Sequence, residues 1–258
     1  MDFKKALLKS KKKYNIRDII SEVLIIENNE HWNICDSIPS EGLYLVHYTN
    51  SANLSKYGWI KGIVIDIFNK VIVCSSFGHV KTIVSNKIEE SNEKIIITDT
   101  LGNKKYYPKN KIKINIGFEG TLIRVFKHNG NVYHSSHHKL SVNNSKWGNS
   151  ITFKKMYEIL GGPSNDELFN KDSIYSPYCY MFILVHPEII NVTKQDIGNG
   201  YIVYLGAKKM WNKEYKNPGK IKHSPTIIKT INKVPNKIIE KNIIVSSPII
   251  SVDEANDH

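Results

Sequence analysis

The sequence predicts an α+β protein rich in antiparallel strands, and three observations carry that reading. Residues 59–77 and 115–139 are β-branched or alternating runs, each folded about a short turn. Ile16–Glu27 and Phe153–Leu160 instead space their apolar residues as one face of a helix. No internal repeat or low-complexity linker divides the 258 residues, so a single domain over 1–258 is the simplest parse.

In chain order, residues 1–14 are lysine-rich and read as a basic N-terminal arm. Ile16, Ile19, Ile20, Val23 and Leu24 form the first helix face, and Pro39 with Gly42 breaks the pattern before Leu43–Tyr48 alternates as a strand. Ile63–Ile67 and Val71–Cys74 pair about Phe68-Asn69-Lys70. Glu89–Tyr107 reads as a further hairpin with Leu101-Gly102-Asn103 at its tip, set in as an insertion.

In 115–139, Asn129-Gly130 supplies the positive φ angles of a tight turn. Thr121, Ile123 and Val125 alternate with Leu122, Arg124 and Phe126, so one face is apolar and the other carries Arg124. Ser150 or Thr152 caps the helix at Phe153–Leu160, which Gly161-Gly162-Pro163 ends, and Ser164–Phe169 resembles a second helix start. Tyr178–Val185 is continuously apolar, as a central strand would be, and Ile189–Val192 and Tyr201–Leu205 read as the next two. Residues 212–237 form a basic segment interrupted by Pro218, Pro225 and Pro235, leading to a closing strand at Ile238–Val245.

The formal charge of +12 favours a polyanionic partner, RNA or DNA ahead of a membrane surface. An AT-rich coding sequence would also enrich Lys, Ile and Asn; arginine occurs only at Arg17 and Arg124. Cys35, Cys74 and Cys179 have neither metal spacing nor a disulfide pattern, which favours a reducing compartment. No run approaches the roughly 18 apolar residues of a membrane span, and the N-terminus lacks a signal-peptide core. The expected location is the cytoplasm or nucleus.

His134, His137 and His138 are the densest histidine group, with His128 across the hairpin. On a continuing strand His134 and His138 would share a face. Without a third ligand, a polar edge touching RNA or plain surface is expected rather than a metal site. Gly-x-Gly-x-x-Gly, P-loop and Gly-x-Ser-x-Gly motifs are absent, which removes support for dinucleotide, Walker-type and nucleophile-elbow chemistry. Tyr133, Trp147, Tyr157, Tyr175, Tyr178, Tyr180, Trp211 and Tyr215 could stack unpaired bases where exposed, and lysine-flanked Trp147 and Trp211 suit exposure best.

The order Lys61-Gly62-Ile63-Val64-Ile65, then Ser76-Phe77-Gly78-His79-Val80-Lys81, then Gly117-Phe118-Glu119-Gly120-Thr121-Leu122 resembles the core of RNA ligases in the covalent nucleotidyltransferase superfamily. Tyr180–Glu188 and Val203–Ala207 resemble the family's later strands, so the likeness spans roughly residues 43–210. It implies antiparallel-rich sheets of the nucleotidyltransferase type with peripheral helices.

In that family the lysine of Lys-x-Asp-Gly attacks the α-phosphate of ATP or GTP. Here Gly117 occupies that position, Ile183 replaces the ribose-binding glutamate, and Lys208-Lys209 reads as a solvent-facing pair. Lys113, on a strand rising about 3.3 Å per residue, would miss the lysine position by more than about 10 Å. The resemblance therefore implies a catalytically degenerate protein that binds RNA, a nucleotide or a 5′ end, including a capped one. The relict pocket would use Glu119, Arg124, Phe77, Lys81, Lys61, Trp147 and His134, with ATP or GTP and Mg as the implied ligands. Phe77 and Lys81 are expected across the same sheet as Arg124. The alternatives are an active transferase using another lysine, and an adaptor subunit of a viral RNA-processing or translation complex. The Ile-, Asn- and Lys-rich composition with a degenerate ligase core would suit a large DNA virus and its cytoplasmic factories.

Overall fold

Alternation of apolar side chains on both faces of four strands sets the architecture. In the computed structural model, residues 15–27, 29–80, 85–111, 118–148, 151–169, 176, 178–189, 198–210 and 244–245 are described. The basic arm, the segment 212–237, Lys81, Lys113, Gly117, Tyr175, Trp211 and Tyr215 lie outside them, as do residues 190–192 and 238–243 of two expected strands.

Helix α1 (Ile16–Leu24) starts at Asn15, whose side chain accepts a hydrogen bond from the Arg17 amide. Four antiparallel strands follow: β1 (Trp32–Ile38), β2 (Leu43–Tyr48), β3 (Lys61–Asp66) and β4 (Val71–Cys74), with the one-turn α2 (Leu54–Tyr57) between β2 and β3. A five-stranded sheet comprises β8 (Thr121–His128), β9 (Asn131–Ser135), β10 (Tyr178–Val185), β11 (Tyr201–Lys209) and β12 (Ile244–Val245), in the order β12-β11-β10-β8-β9. Its pairings are antiparallel except β11 with β12. The α+β, antiparallel-rich class is thus what the chain adopts.

Three apolar clusters define the layers. Ile19, Ile20, Val23 and Leu24 of α1 pack on Tyr44, Val46, Ile63 and Ile65, one face of the four-stranded sheet. Its other face, with Leu43, Leu45, Val64 and Cys74, meets Phe126, Cys179 and Met181 of the five-stranded sheet. That sheet's far face buries Ile123, Val125, Phe182 and Tyr204 under Phe153, Met156 and Tyr157 of α3 (Phe153–Ile159) and Leu168 of α4 (Asn165–Leu168). Side chains two apart enter one cluster and their neighbours the other, as a pleated strand with two covered faces requires. The continuous apolar run at Tyr178–Val185 follows from this, because β10 has no wet face.

Local signals hold where they were specific. Asn129 (φ 49°) and Gly130 (φ 80°) form the β8–β9 turn. Thr152 caps α3 through the Lys155 amide at 3.3 Å, and the Ser164 amide donates to the Glu167 carboxylate at 2.7 Å. At the β3–β4 turn, Asp66 Oδ1 accepts from the Phe68 and Asn69 amides at 2.8 and 3.0 Å. Its Oδ2 lies 2.8 Å from His128 Nε2 of the opposite sheet.

By their contacts the residues fall into two compact units. Both sheets above belong to the first; the second covers Val80–Phe118. There β5 (Ser85–Glu90), β6 (Lys94–Asp99) and β7 (Lys104–Pro108) form an antiparallel three-stranded sheet, where the sequence predicted a two-stranded hairpin. The expected tip at Leu101-Gly102-Asn103 stands, with Asp99 accepting from the Leu101 and Asn103 amides at 2.9 Å each.

Candidate anion-binding site

Glycine brings the two sheets' loops together. Gly62 sits on β3 at φ +65°, and a Cβ there would lie 2.8 Å from His137 Cα and 2.9 Å from His137 O. The turn that follows β9 therefore rests directly on the β3 backbone. Ser136 shapes that turn: its Oγ accepts from the His138 and Lys139 amides at 3.2 and 3.1 Å. Gly62→Ala is expected to lower stability by at least about 1–2 kcal/mol from the left-handed φ alone. The closer contact adds to that cost, and a thermal melt reads the loss.

Around this seam lies a cluster of cationic and aromatic groups. His47 and Lys61 face each other in the β2–β3 register. The Lys61 ammonium lies 5.2 Å from the centroid of the half-buried Phe77 ring, and Phe77 meets His137 edge-on at 5.5 Å. His137 Nε2 is 2.8 Å from Ser76 Oγ. His47 stacks on the exposed His138 at 4.5 Å, and Tyr48 OH reaches Nδ1 of the exposed His79 at 3.3 Å. Lys208 donates to Ser75 Oγ at 2.7 Å and to the Ser76 carbonyl at 3.0 Å.

The electrostatics are one-sided. Burial pushes His137 down to about 2, with Arg124, Lys61, His47 and His138 adding repulsion. His47 and His138 are lowered first by burial, and Arg124 and Lys61 act on both. Burial also lowers Lys61 and Lys208. Among the described residues, the charged groups acting on these three histidines are lysine, arginine and one another. The positive charge of Lys61, Lys208 and Arg124 among neutral imidazoles is a setting that a bound anion would relieve. Burial disfavours the protonated form of His137, which makes it a weaker general base towards Ser76 than a solvated imidazole.

The site residues expected from sequence are thus only partly assembled. Lys61 and Phe77 meet as part of the cluster. Arg124 is fully buried between the sheets, its Nη1 donating to the Gly62 carbonyl and its Nη2 to the Ser136 carbonyl. It braces the wall behind the cluster and is not presented to a ligand. The expectation of one apolar and one ligand-facing side of β8 is corrected accordingly, since both sides are covered. Phe77 follows β4, so it lies on the other sheet from Arg124.

His134 also departs from expectation. Strand β9 ends at Ser135, so His134 and His138 do not share a face. His134 is buried against Tyr157 of α3, 3.2 Å from Lys154 Nζ, and burial holds it down at about 3. Trp147 is 48% exposed, as expected, but it belongs to the helix-covered side, donating to Thr121 Oγ1 at 3.1 Å and lying near Phe153. Glu119 is half-buried just ahead of β8. Lys208, expected to face solvent, turns inward because strand alternation puts it on the side of its β10 partner Cys179.

Reasoning from sequence passed over His47 and Tyr48, took His137 only as part of a polar histidine edge, and left Lys208 to solvent. The signal available for His137 and His138 was their place directly after a strand, opposite the glycine of Lys61-Gly62. Two surface hollows of about 460 and 470 Å³ flank α3, one lined by Ile151, Thr152 and Lys155, the other by Tyr157, Pro163 and Asp166. Neither includes a residue of the cluster. Among the described residues no three His, Cys, Asp or Glu side chains gather to hold a metal ion, and no helix is long and apolar enough to cross a membrane.

Fold and site together define an α+β protein of antiparallel sheets with a cationic, histidine-rich surface cluster. No family model matches the chain. Over 73 residues it is 44% identical to the immediate-early protein ICP-46 homolog of Invertebrate iridescent virus 3, a match covering 27% of this chain and 16% of that relative. The chain spans about a sixth of the relative's length, and the likeness points weakly towards a viral origin.

Proposed function

We propose that this protein is a catalytically degenerate relative of RNA ligases that binds the phosphate of an RNA strand or a nucleotide at the Lys61–Phe77–His137 cluster. The observation that carries the reading is the pairing of a cationic group with an accessible ring: Lys61 lies over Phe77, and His47, His137 and His138 add no negative charge. A lysine and neutral imidazoles offer donors to phosphate oxygens, and an aromatic face offers a platform for a base. The net charge of +12 would draw a polyanion towards such a site. Gly117, which stands where the resemblance calls for the nucleophilic lysine, supports binding without lysyl-nucleotide chemistry.

The test is anisotropy of a labelled, 5′-phosphorylated single-stranded RNA. Lys61→Ala is expected to weaken binding about 10–100-fold, in the range of one charge-assisted hydrogen bond, and to flatten the salt dependence by about one unit of slope. Phe77→Ala should weaken it further if a base stacks there. Unchanged affinity in both variants rejects the site. Incubation with labelled ATP or GTP and Mg should leave no covalent adduct; an adduct lost in Lys208→Ala would establish an active transferase in its place.

A further inference from the structure

The two thiols that the sequence leaves unpaired meet between the sheets. Cys74 ends β4 and Cys179 lies on β10, 105 residues later, with their Sγ atoms 3.3 Å apart and both side chains wholly buried. Leu45, Val64 and Met181 belong to the same apolar cluster, so these sulfurs are shielded from bulk solvent. At 3.3 Å the sulfurs stand about 1.3 Å beyond a bond of about 2.05 Å, so a short approach of the two thiols brings them to bonding distance. We infer that Cys74 and Cys179 are a redox pair whose oxidation by a peroxide staples the four-stranded sheet to the five-stranded one.

The chemistry balances in two steps. The Cys74 sulfur attacks one peroxide oxygen, the O–O bond breaks, and the departing hydroxide leaves as water with the thiol proton, giving a sulfenic acid. The Cys179 sulfur then attacks that sulfur; the S–O bond breaks, a second water leaves, and the disulfide forms. Two thiols lose two electrons and one peroxide gains them. Lys208 and Arg124 both act electrostatically to favour the Cys74 thiolate, as does the hydrogen bond with Cys179, against the opposing effect of burial. Cys35, only half-buried, has no second thiol beside it among the described residues, and burial and Asp36 push its thiol up against the opposing effect of Lys139.

The bridge would act next to the cationic cluster, because Ser75 and Ser76, which hold Lys208 and His137, follow Cys74 directly. The inference itself is independent of what that cluster binds. It is tested by exposing the reduced protein to graded hydrogen peroxide, denaturing, alkylating and mapping peptides by mass. A peptide linked through Cys74 and Cys179, lighter by two hydrogens, should accumulate while Cys35 stays alkylatable. Cys35→Ala, which leaves only the pair, should then show no free thiol after peroxide and both after reductant. Two alkylatable thiols in that variant, or sulfinic acid at Cys74 without the linked peptide, would overturn the inference.

Discussion

Replacing Arg124 with methionine is expected to cost about 3–5 kcal/mol of stability, the largest effect of any single substitution considered. The guanidinium is completely buried, and its fork closes on two carbonyls: Gly62 of the four-stranded sheet and Ser136 of the turn after β9. Methionine fills much of the volume, so the cost is chiefly polar. It strips both carbonyls of that donor, at about 1–3 kcal/mol for each that stays buried without a partner, and removes the contact that holds the turn against β3. Arg124 already pays a toll, since its Nε finds no hydrogen-bond partner. Arginine is retained because one planar fork can reach both carbonyls; Arg124→Lys should therefore recover only part of the loss. A lower urea midpoint with an unchanged slope would show this. An unchanged midpoint together with lost RNA binding would instead return Arg124 to the ligand.

That result also shows why the sequence led one way and the structure another. The alternation across Thr121–Phe126 was read correctly as a strand, but a lone arginine on one face looks the same whether that face meets solvent or a second sheet. Only the partner sheet distinguishes the two, and its register depends on residues some sixty positions upstream, at Gly62. Elements with local causes were legible: the Asn129-Gly130 turn, the apolar face of α1, the capped start of α3, and the β3–β4 hairpin.

Strand β1 was not legible. Asn33, Asp36 and Ser37 interrupt its apolar residues, and only its first residue, Trp32, is buried, so its pattern is that of an edge strand. The site was half legible for the same reason. Lys61 and Phe77 stood in recognisable motifs, whereas His47, His137 and Lys208 reach the cluster through tertiary contacts that no spacing in the chain displays.

The buried histidines make a second large effect, and its sign follows from burial alone. His134 and His137 are held neutral in the folded protein, down to about 3 and about 2, first by burial and then by repulsion from Lys154 at His134 and from Arg124 and Lys61 at His137. In the unfolded chain both would titrate near 6.5. Between those values the unfolded state binds more protons than the folded one, so stability rises with pH and falls as pH falls. The contribution is fully present above about pH 6.5 and drains away below it, at about 1.4 kcal/mol per pH unit for each histidine. By pH 5 the pair should have lost on the order of 4 kcal/mol, a large share of the 5–15 kcal/mol of an ordinary domain. Asp66 acts later: burial raises its carboxyl, but hydrogen bonds from His128 and Asn69 outweigh that and hold it below the usual range, so its share goes only as pH drops below about 4. Chemical denaturation from pH 8 to 4 should therefore show a midpoint falling from about pH 6.5, well before carboxylates protonate. His134→Phe, which keeps a ring against Tyr157 without a proton to gain, should lower the slope between pH 6.5 and 5 by about 1.4 kcal/mol per pH unit. A midpoint flat down to pH 5 would mean that both imidazoles reach water in the folded protein, and with that the packing of the turn on β3 and of α3 on β9 would have to be redrawn.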